Sequence, residues 1–131
     1  MRTKATPSEQ QRAKRESLSG KRAIVTGGSR GIGFRIAKSL VSQDVHTVIC
    51  ARSRGPLSEA AGQLSTTGNE VFWKVCDVGR VEQVEELVRF SDEQLGGIDI
   101  LINNAGAGTF LPVSEMTPEE WRSVMRTNLD S

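Results

Sequence analysis

The chain has 131 residues, enough for one domain with a real core but short for a multi-stranded α/β enzyme. With 17 Lys and Arg against 16 Asp and Glu the net charge is +1, which leaves no global electrostatic case for nucleic-acid or membrane partners, and no apolar stretch approaches the ~20 residues of a membrane span. The two cysteines, Cys50 and Cys76, match no metal-ligand spacing and read as reduced, packed thiols of a cytoplasmic protein.

Residues 1–19 form a polar extension carrying Arg2, Lys4, Arg12, Lys14 and Arg15 against Glu9 and Glu16. An apolar core segment is missing, which excludes a secretory signal, and the arginines lack the amphipathic face of a mitochondrial-type presequence. A disordered lead-in is expected, with a basic arm touching phosphate as the alternative. An α/β domain is expected over residues 20–131.

That domain opens with a short strand over Ala23–Val25. The segment Thr26-Gly27-Gly28-Ser29-Arg30-Gly31-Ile32-Gly33 then turns into a helix with Ile32, Ile36, Ala37, Leu40 and Val41 on one face. A second strand follows over Thr47–Cys50. Its helix carries Leu57, Ala60, Ala61 and Leu64 before a stop at Gly68. The third strand is expected over Val71–Cys76, and its helix is lined by Val81, Val84, Val88 and Leu95 and ended by Gly96-Gly97. The fourth strand spans Ile98–Ile102. Thr117-Pro118-Glu119-Glu120 opens the last helix with a capping box and a proline at the first helical position. The apolar face of that helix is Trp121, Val124, Met125 and Leu129. All four strands are short and rich in Val and Ile, as strands buried on both faces should be. Strands alternating with helices imply right-handed crossovers and a doubly wound parallel sheet, β-α-β-α-β-α-β-α.

The glycine turn between strand and helix points to a nucleotide phosphate. Such a turn needs positive φ, close approach of backbone to pyrophosphate, and a helix seated tightly on the sheet. Gly27, Gly31 and Gly33 are spaced G-x-x-x-G-x-G, which departs from G-x-G-x-x-G because Ile36 occupies the last glycine's place. The P-loop spacing fits Gly28 to Gly33, but Phe34 and Arg35 stand where Lys and Ser or Thr must reach phosphate and Mg²⁺, so that reading fails.

Thr26 to Gly33 is similar to the cofactor motif of the short-chain dehydrogenase/reductase family. Asn103-Asn104-Ala105-Gly106 resembles that family's second signature, and Cys76-Asp77-Val78 and Asn128 follow in the expected order. The resemblance runs from about Leu18 to the end of the sequence. It implies a Rossmann-like sheet, incomplete at about four strands and four helices, with a dinucleotide across the strand ends.

Under the resemblance, Thr26, Gly27, Ser29, Arg30, Gly31, Ile32 and Gly33 hold the pyrophosphate end. Asp77, with Val78, accepts from the adenine amino group; a carboxylate satisfying free amides before Val81 is the structural alternative, and both can hold at once. At the end of the second strand an NAD site carries Asp or Glu, whereas Ala51-Arg52-Ser53-Arg54 stands here. Arg52 can pair with a 2′-phosphate, so NADP(H) is favoured over NAD(H), with Arg30 adding charge; Arg54 reads as a solvated surface residue. Asn104 ties neighbouring strands, while Ala105 and Gly106 leave room near the nicotinamide ribose. Asn128 lies on an otherwise apolar helix face and, by resemblance, holds a water of the proton relay.

The family transfers hydride between a nicotinamide and a small carbonyl or alcohol substrate, with tyrosine as proton donor and a lysine four residues later. The sequence has no tyrosine, and the family's serine also has no counterpart in it. Lys38, Lys74 and His46 are poor substitutes: a helix surface, a strand interior and a strand start. The 131 residues are therefore expected to bind cofactor and not to catalyse, as the N-terminal portion of an enzyme that is a homo-oligomer when intact. A non-catalytic nucleotide-binding or regulatory module is the alternative, and an interaction protein using the basic arm is the weaker one. Ile100, Leu101 and Ile102 are expected to present an unpaired apolar edge. Thr109, Phe110 and Leu111 are placed by position alone at the border of a substrate pocket.

Overall fold

The computed structural model describes residues 17–106 and 112–129. Most of the basic extension, and Thr109, Phe110 and Leu111, lie outside the described residues. Four strands, β1 (Arg22–Thr26), β2 (His46–Ala51), β3 (Phe72–Val75) and β4 (Ile100–Ile102), form one parallel sheet in the order β3-β2-β1-β4. The helices are α1 (Gly31–Ser42), α2 (Arg54–Leu64), α3 (Val81–Leu95) and α4 (Pro118–Asn128), with a 3-10 turn at Val113–Glu115.

Alternation along β1 and β2 supplies two cores. Ala23, Val25 and Ile49 face α1 and α2, where Ala37, Val41, Leu57 and Leu64 close the layer. Ile24, Val48 and Cys50 face the other way, toward Leu87 of α3. Leu18 packs against the first core and Ser19 Oγ donates to Asp44 at 2.9 Å, so packing begins slightly before residue 20.

Three expectations need correction. Burial on both faces holds for β1 and β2, but β3 and β4 are the edges of this sheet and are only part-buried. On α3 the buried face is rotated: Val81 and Val88 are exposed, while Leu87 and Ser91 are buried. A serine can sit there because its hydroxyl donates to the Leu87 carbonyl at 2.8 Å and leaves no unpaired polar group. On α4 no residue is buried, and Trp121 and Leu129 are half or more exposed. The capping box of α4 forms as expected, Glu120 N–H donating to Thr117 Oγ1 and Thr117 N–H to the Glu120 carboxylate.

The N-terminal end of the sheet is clamped by one ion pair. Arg22 donates through Nε to Asp99 at 2.9 Å and through Nη1 to the Gly96 carbonyl at 2.7 Å, joining β1 to the loop before β4. The Arg22 backbone amide also donates to the Asp99 carboxylate at 2.9 Å and not to a backbone carbonyl, so the ladder with β4 starts at Ile100 and not at Ile98. Hydrogen bonds from Arg22 hold the Asp99 carboxyl down at about 2, below the ~3.9 of an unfolded aspartate. The folded state thus holds fewer protons on this group, and its contribution is full above about pH 4 and lost as pH falls through about 2. Thermal melts should show the native chain above Asp99→Asn at pH 6, with the gap closing between pH 4 and pH 2; a gap independent of pH would contradict the clamp.

Candidate functional site: a cleft at the C-terminal ends of the strands

From β1 the chain winds outward through β2 to β3, then crosses back to lay β4 on the other side of β1. The crossover from β1 thus runs to one side and the crossover into β4 to the other, so β1 and β4 flank the point where the strand order reverses, and a crevice opens at their carboxyl ends. A cleft of about 420 Å³ lies there. Its lining includes Gly27, Ser29, Arg30, Gly31, Ile32, Arg52, Asp77, Val78, Asn104, Ala105 and Gly106.

The floor is a set of interlocked polar contacts. Thr26 Oγ1 accepts the amides of Asn104 at 3.0 Å and Ala105 at 2.9 Å and donates to the Ile102 carbonyl. Asn104 Nδ2 donates to the carbonyls of Thr26 and Gly27, each at 3.2 Å. Gly33 fits beneath them: a Cβ there would stand 2.1 Å from the Gly27 oxygen and 2.4 Å from Asn104 Nδ2. Gly27 and Gly31 have φ of +66° and +60°, and a Cβ on Gly31 meets nothing within 4 Å because that residue faces the open cleft.

The electrostatics favour an anion. Neither α1, with Arg30 at its N-cap, nor α2, with Ser53, has a side-chain cap or an acid in its first turn. By contrast α4, whose N-terminus lies elsewhere, carries a capping box and Glu119 and Glu120. Unsatisfied amides and the positive helix ends therefore meet the cleft at two places. Arg30 and Arg52 line it, and among the described residues Asp77 is its single lining carboxylate. Asp77 Oδ1 accepts the Gly79 amide at 2.9 Å and its other oxygen meets Arg80 Nε at 3.5 Å. Arg54 does not line the cleft; its guanidinium stacks over Trp73 at 5.1 Å, a packing role in place of the simple solvation expected.

Three expected site residues stand apart from the lining. Thr26 is buried beneath the strand ends and Gly33 beneath the turn, so neither reaches the cleft surface. Asn128 is exposed on α4, but a Cβ on Gly106 would lie 3.4 Å from its Oδ1, which brings it to the border of the cleft. Ile32, expected on the buried face of α1, is 71% exposed at the cleft mouth because the first turn projects beyond the sheet. Sequence reasoning missed Ala51, Ser53, Pro56 and Thr127; Cys50 and Cys76 are the free, packed thiols expected, and both also line the cleft. The available signal was adjacency: each is within four residues of Arg52, Asp77 or Asn128. Among the described residues no group of three His, Cys, Asp or Glu side chains can hold a metal ion, and no helix is long and apolar enough to cross a membrane.

Comparison with known proteins places this geometry. Residues 21–131 match the family described as short chain dehydrogenase. A tropinone reductase homologue of Arabidopsis thaliana is 40% identical over 118 residues, which are 89% of this chain and 44% of that protein. A metagenomic short-chain oxidoreductase solved in complex with NADP superposes with a TM-score of 0.80 at 35% identity, over 88% of this chain and 52% of that one. A short chain dehydrogenase from Burkholderia cenocepacia, also in complex with NADP, gives 0.82 at 30% identity, over 88% and 47%. The chain spans under half the length of the curated relatives it matches.

Proposed function

The chain belongs to the short-chain dehydrogenase family, and from that premise we propose that it binds NADP(H) across the ends of its strands as the cofactor-holding part of an oxidoreductase. The observation that carries the cofactor choice is the end of β2. Arg52 and Ser53 line the cleft beside the uncapped N-terminus of α2, and among the described residues no carboxylate stands there to repel a 2′-phosphate. Two relatives solved with NADP support the same reading.

The residues fit a dinucleotide by shape as well as charge, since the space at Gly33 is closed to any Cβ and that at Gly27 is tight, while Gly31 is open toward the cleft. The amides of Ser29 to Ile32 and the α1 N-terminus would hold the pyrophosphate, with Arg30 beside them. Asp77 and Val78 would hold the adenine end. Asn104, Ala105 and Gly106 would bound the nicotinamide end, with Asn128 at Gly106 positioned to hold a water there. The cofactor, when bound, supplies or accepts hydride. The sequence holds no tyrosine to serve as proton donor, so these residues bind and orient without completing carbonyl reduction. In the whole protein a small carbonyl or alcohol is the substrate and a homo-oligomer the assembly.

The test is a fluorescence titration of the chain with NADPH and NADH. NADPH is expected to bind roughly tenfold or more tightly than NADH, the equivalent of about 1.4 kcal/mol. Equal affinities would overturn the NADP(H) assignment, no binding of either would overturn the cofactor site, and turnover of a carbonyl substrate would overturn the binding-only role.

A further inference from the structure

Cys50 ends the buried part of β2, and Cys76 follows the last residue of β3. Cys50 pairs in register with Lys74, and the Cys76 amide donates to the Ala51 carbonyl at 2.9 Å, so the two cysteines are diagonal neighbours on one face of the sheet. Both thiols are free, they belong to one cluster, and both line the cleft. Arg52 and Asp77, which would read the cofactor, are two residues and one residue further along the same strand ends.

We propose that Cys50 and Cys76 are a redox pair that closes to a reversible disulfide under a small hydroperoxide, and that closure releases the dinucleotide. This rests on the cofactor reading above. Parallel strands ~4.8 Å apart, with an offset of two residues at ~3.3 Å each, put the two Cα atoms roughly 8 Å apart, whereas a relaxed disulfide spans about 4.4–6.8 Å. Closing the bridge therefore drags the ends of β2 and β3 together, and Arg52 and Asp77 move with them. A bridge formed under such strain is also readily reduced, which makes the device reversible.

Cys76 is the attacking group. The hydrogen bond it receives from Cys50 lowers its thiol, while the same contact and burial raise Cys50. The Cys76 sulfur attacks hydrogen peroxide: an S–O bond forms, the O–O bond breaks, and one water leaves. The Cys50 sulfur then attacks Cys76; the S–S bond forms, the S–O bond breaks, and the Cys50 proton leaves on the second water. Two thiols lose two electrons, and one peroxide is reduced to two waters. Cys50 is 0% and Cys76 2% exposed, so peroxide reaches the pair only from the cleft wall that both line. A dinucleotide bound on that wall blocks this route and slows the oxidation.

The test treats the reduced chain with hydrogen peroxide and follows intact mass, free thiols, NADPH affinity and amide hydrogen exchange. Expected are loss of two hydrogens and of both thiols, NADPH binding weakened about tenfold or more, and full recovery with dithiothreitol. NADPH present beforehand should slow the mass change, and Cys76→Ser, which lacks the attacking thiol, should keep its own NADPH affinity after peroxide. Should that variant not fold, Cys76→Ala takes its place. Thiols that persist where glutathione is fully oxidised would overturn the proposal, as would a disulfide that leaves both NADPH affinity and exchange at residues 50–53 and 76–79 unchanged. A reduced chain that never binds NADPH sinks the cofactor reading separately, and the mass and exchange arms still decide the disulfide and the strand-end movement.

Discussion

Gly33→Ala is expected to abolish dinucleotide binding and to cost more stability than any other single methyl group added to the turn. The new Cβ would meet the Gly27 carbonyl at 2.1 Å, and that oxygen is backbone, so no side-chain rotation relieves the clash. The same methyl would strike Asn104 Nδ2 at 2.4 Å, the donor that ties β4 to the end of β1. Overpacking of this kind costs about 1–3 kcal/mol, occasionally more, and a contact against backbone belongs at the upper end. A domain of this size has only about 5–15 kcal/mol in total. Relief must come from lifting α1 off the sheet, which moves the Ser29 to Ile32 amides away from any phosphate. Thermal melts and NADPH titration check both consequences. Gly55→Ala is the control: it lies in the first turn of α2 and a Cβ there meets nothing within 4 Å, so its melt should match the native chain or exceed it slightly. A Gly33→Ala chain with native melt and native binding would mean that the turn is not packed as described.

Arg52→Asp is expected to reverse the cofactor preference with little change in stability. Arg52 is exposed, and an aspartate beside the N-terminus of α2 is favourable to the helix. A charge-assisted hydrogen bond to phosphate is worth about 1.5–3 kcal/mol, so losing it and placing a like charge nearby should weaken NADPH by roughly a hundredfold. NADH should tighten by a smaller factor, because the carboxylate can accept from the ribose hydroxyls. Paired titrations of both nucleotides on native and variant chains decide it. Unchanged selectivity would remove Arg52 from the site and shift the assignment to Arg30.

Much of this is local and legible in the order of the residues. The glycine turn, the capping box at Thr117 and the αL end of α3 at Gly96 all answer to backbone demands that a few adjacent residues meet by themselves. The motif residues from Gly27 to Gly106 arrive at one cleft because each follows a strand, and parallel strands deliver their carboxyl ends to the same side.

What periodicity could not supply was the identity of neighbours. Val81 and Val88 fit a 3.6-residue period as well as Ser91 does, and only the angle at which α3 lands on the sheet decides which is buried. Arg54 and Arg52 are two residues apart and chemically alike. The turn into α2 sends one to the face of Trp73 and the other to the cleft. Cys50 and Cys76 stand 26 residues apart, and nothing in either neighbourhood predicts a thiol pair. The sequence by itself therefore determined the parallel α/β plan and the nucleotide turn, because these follow from short-range sterics and strand-helix alternation. Tertiary structure alone decided which side chains share a face of the cleft, because contacts between β2, β3 and α3 depend on register and helix orientation.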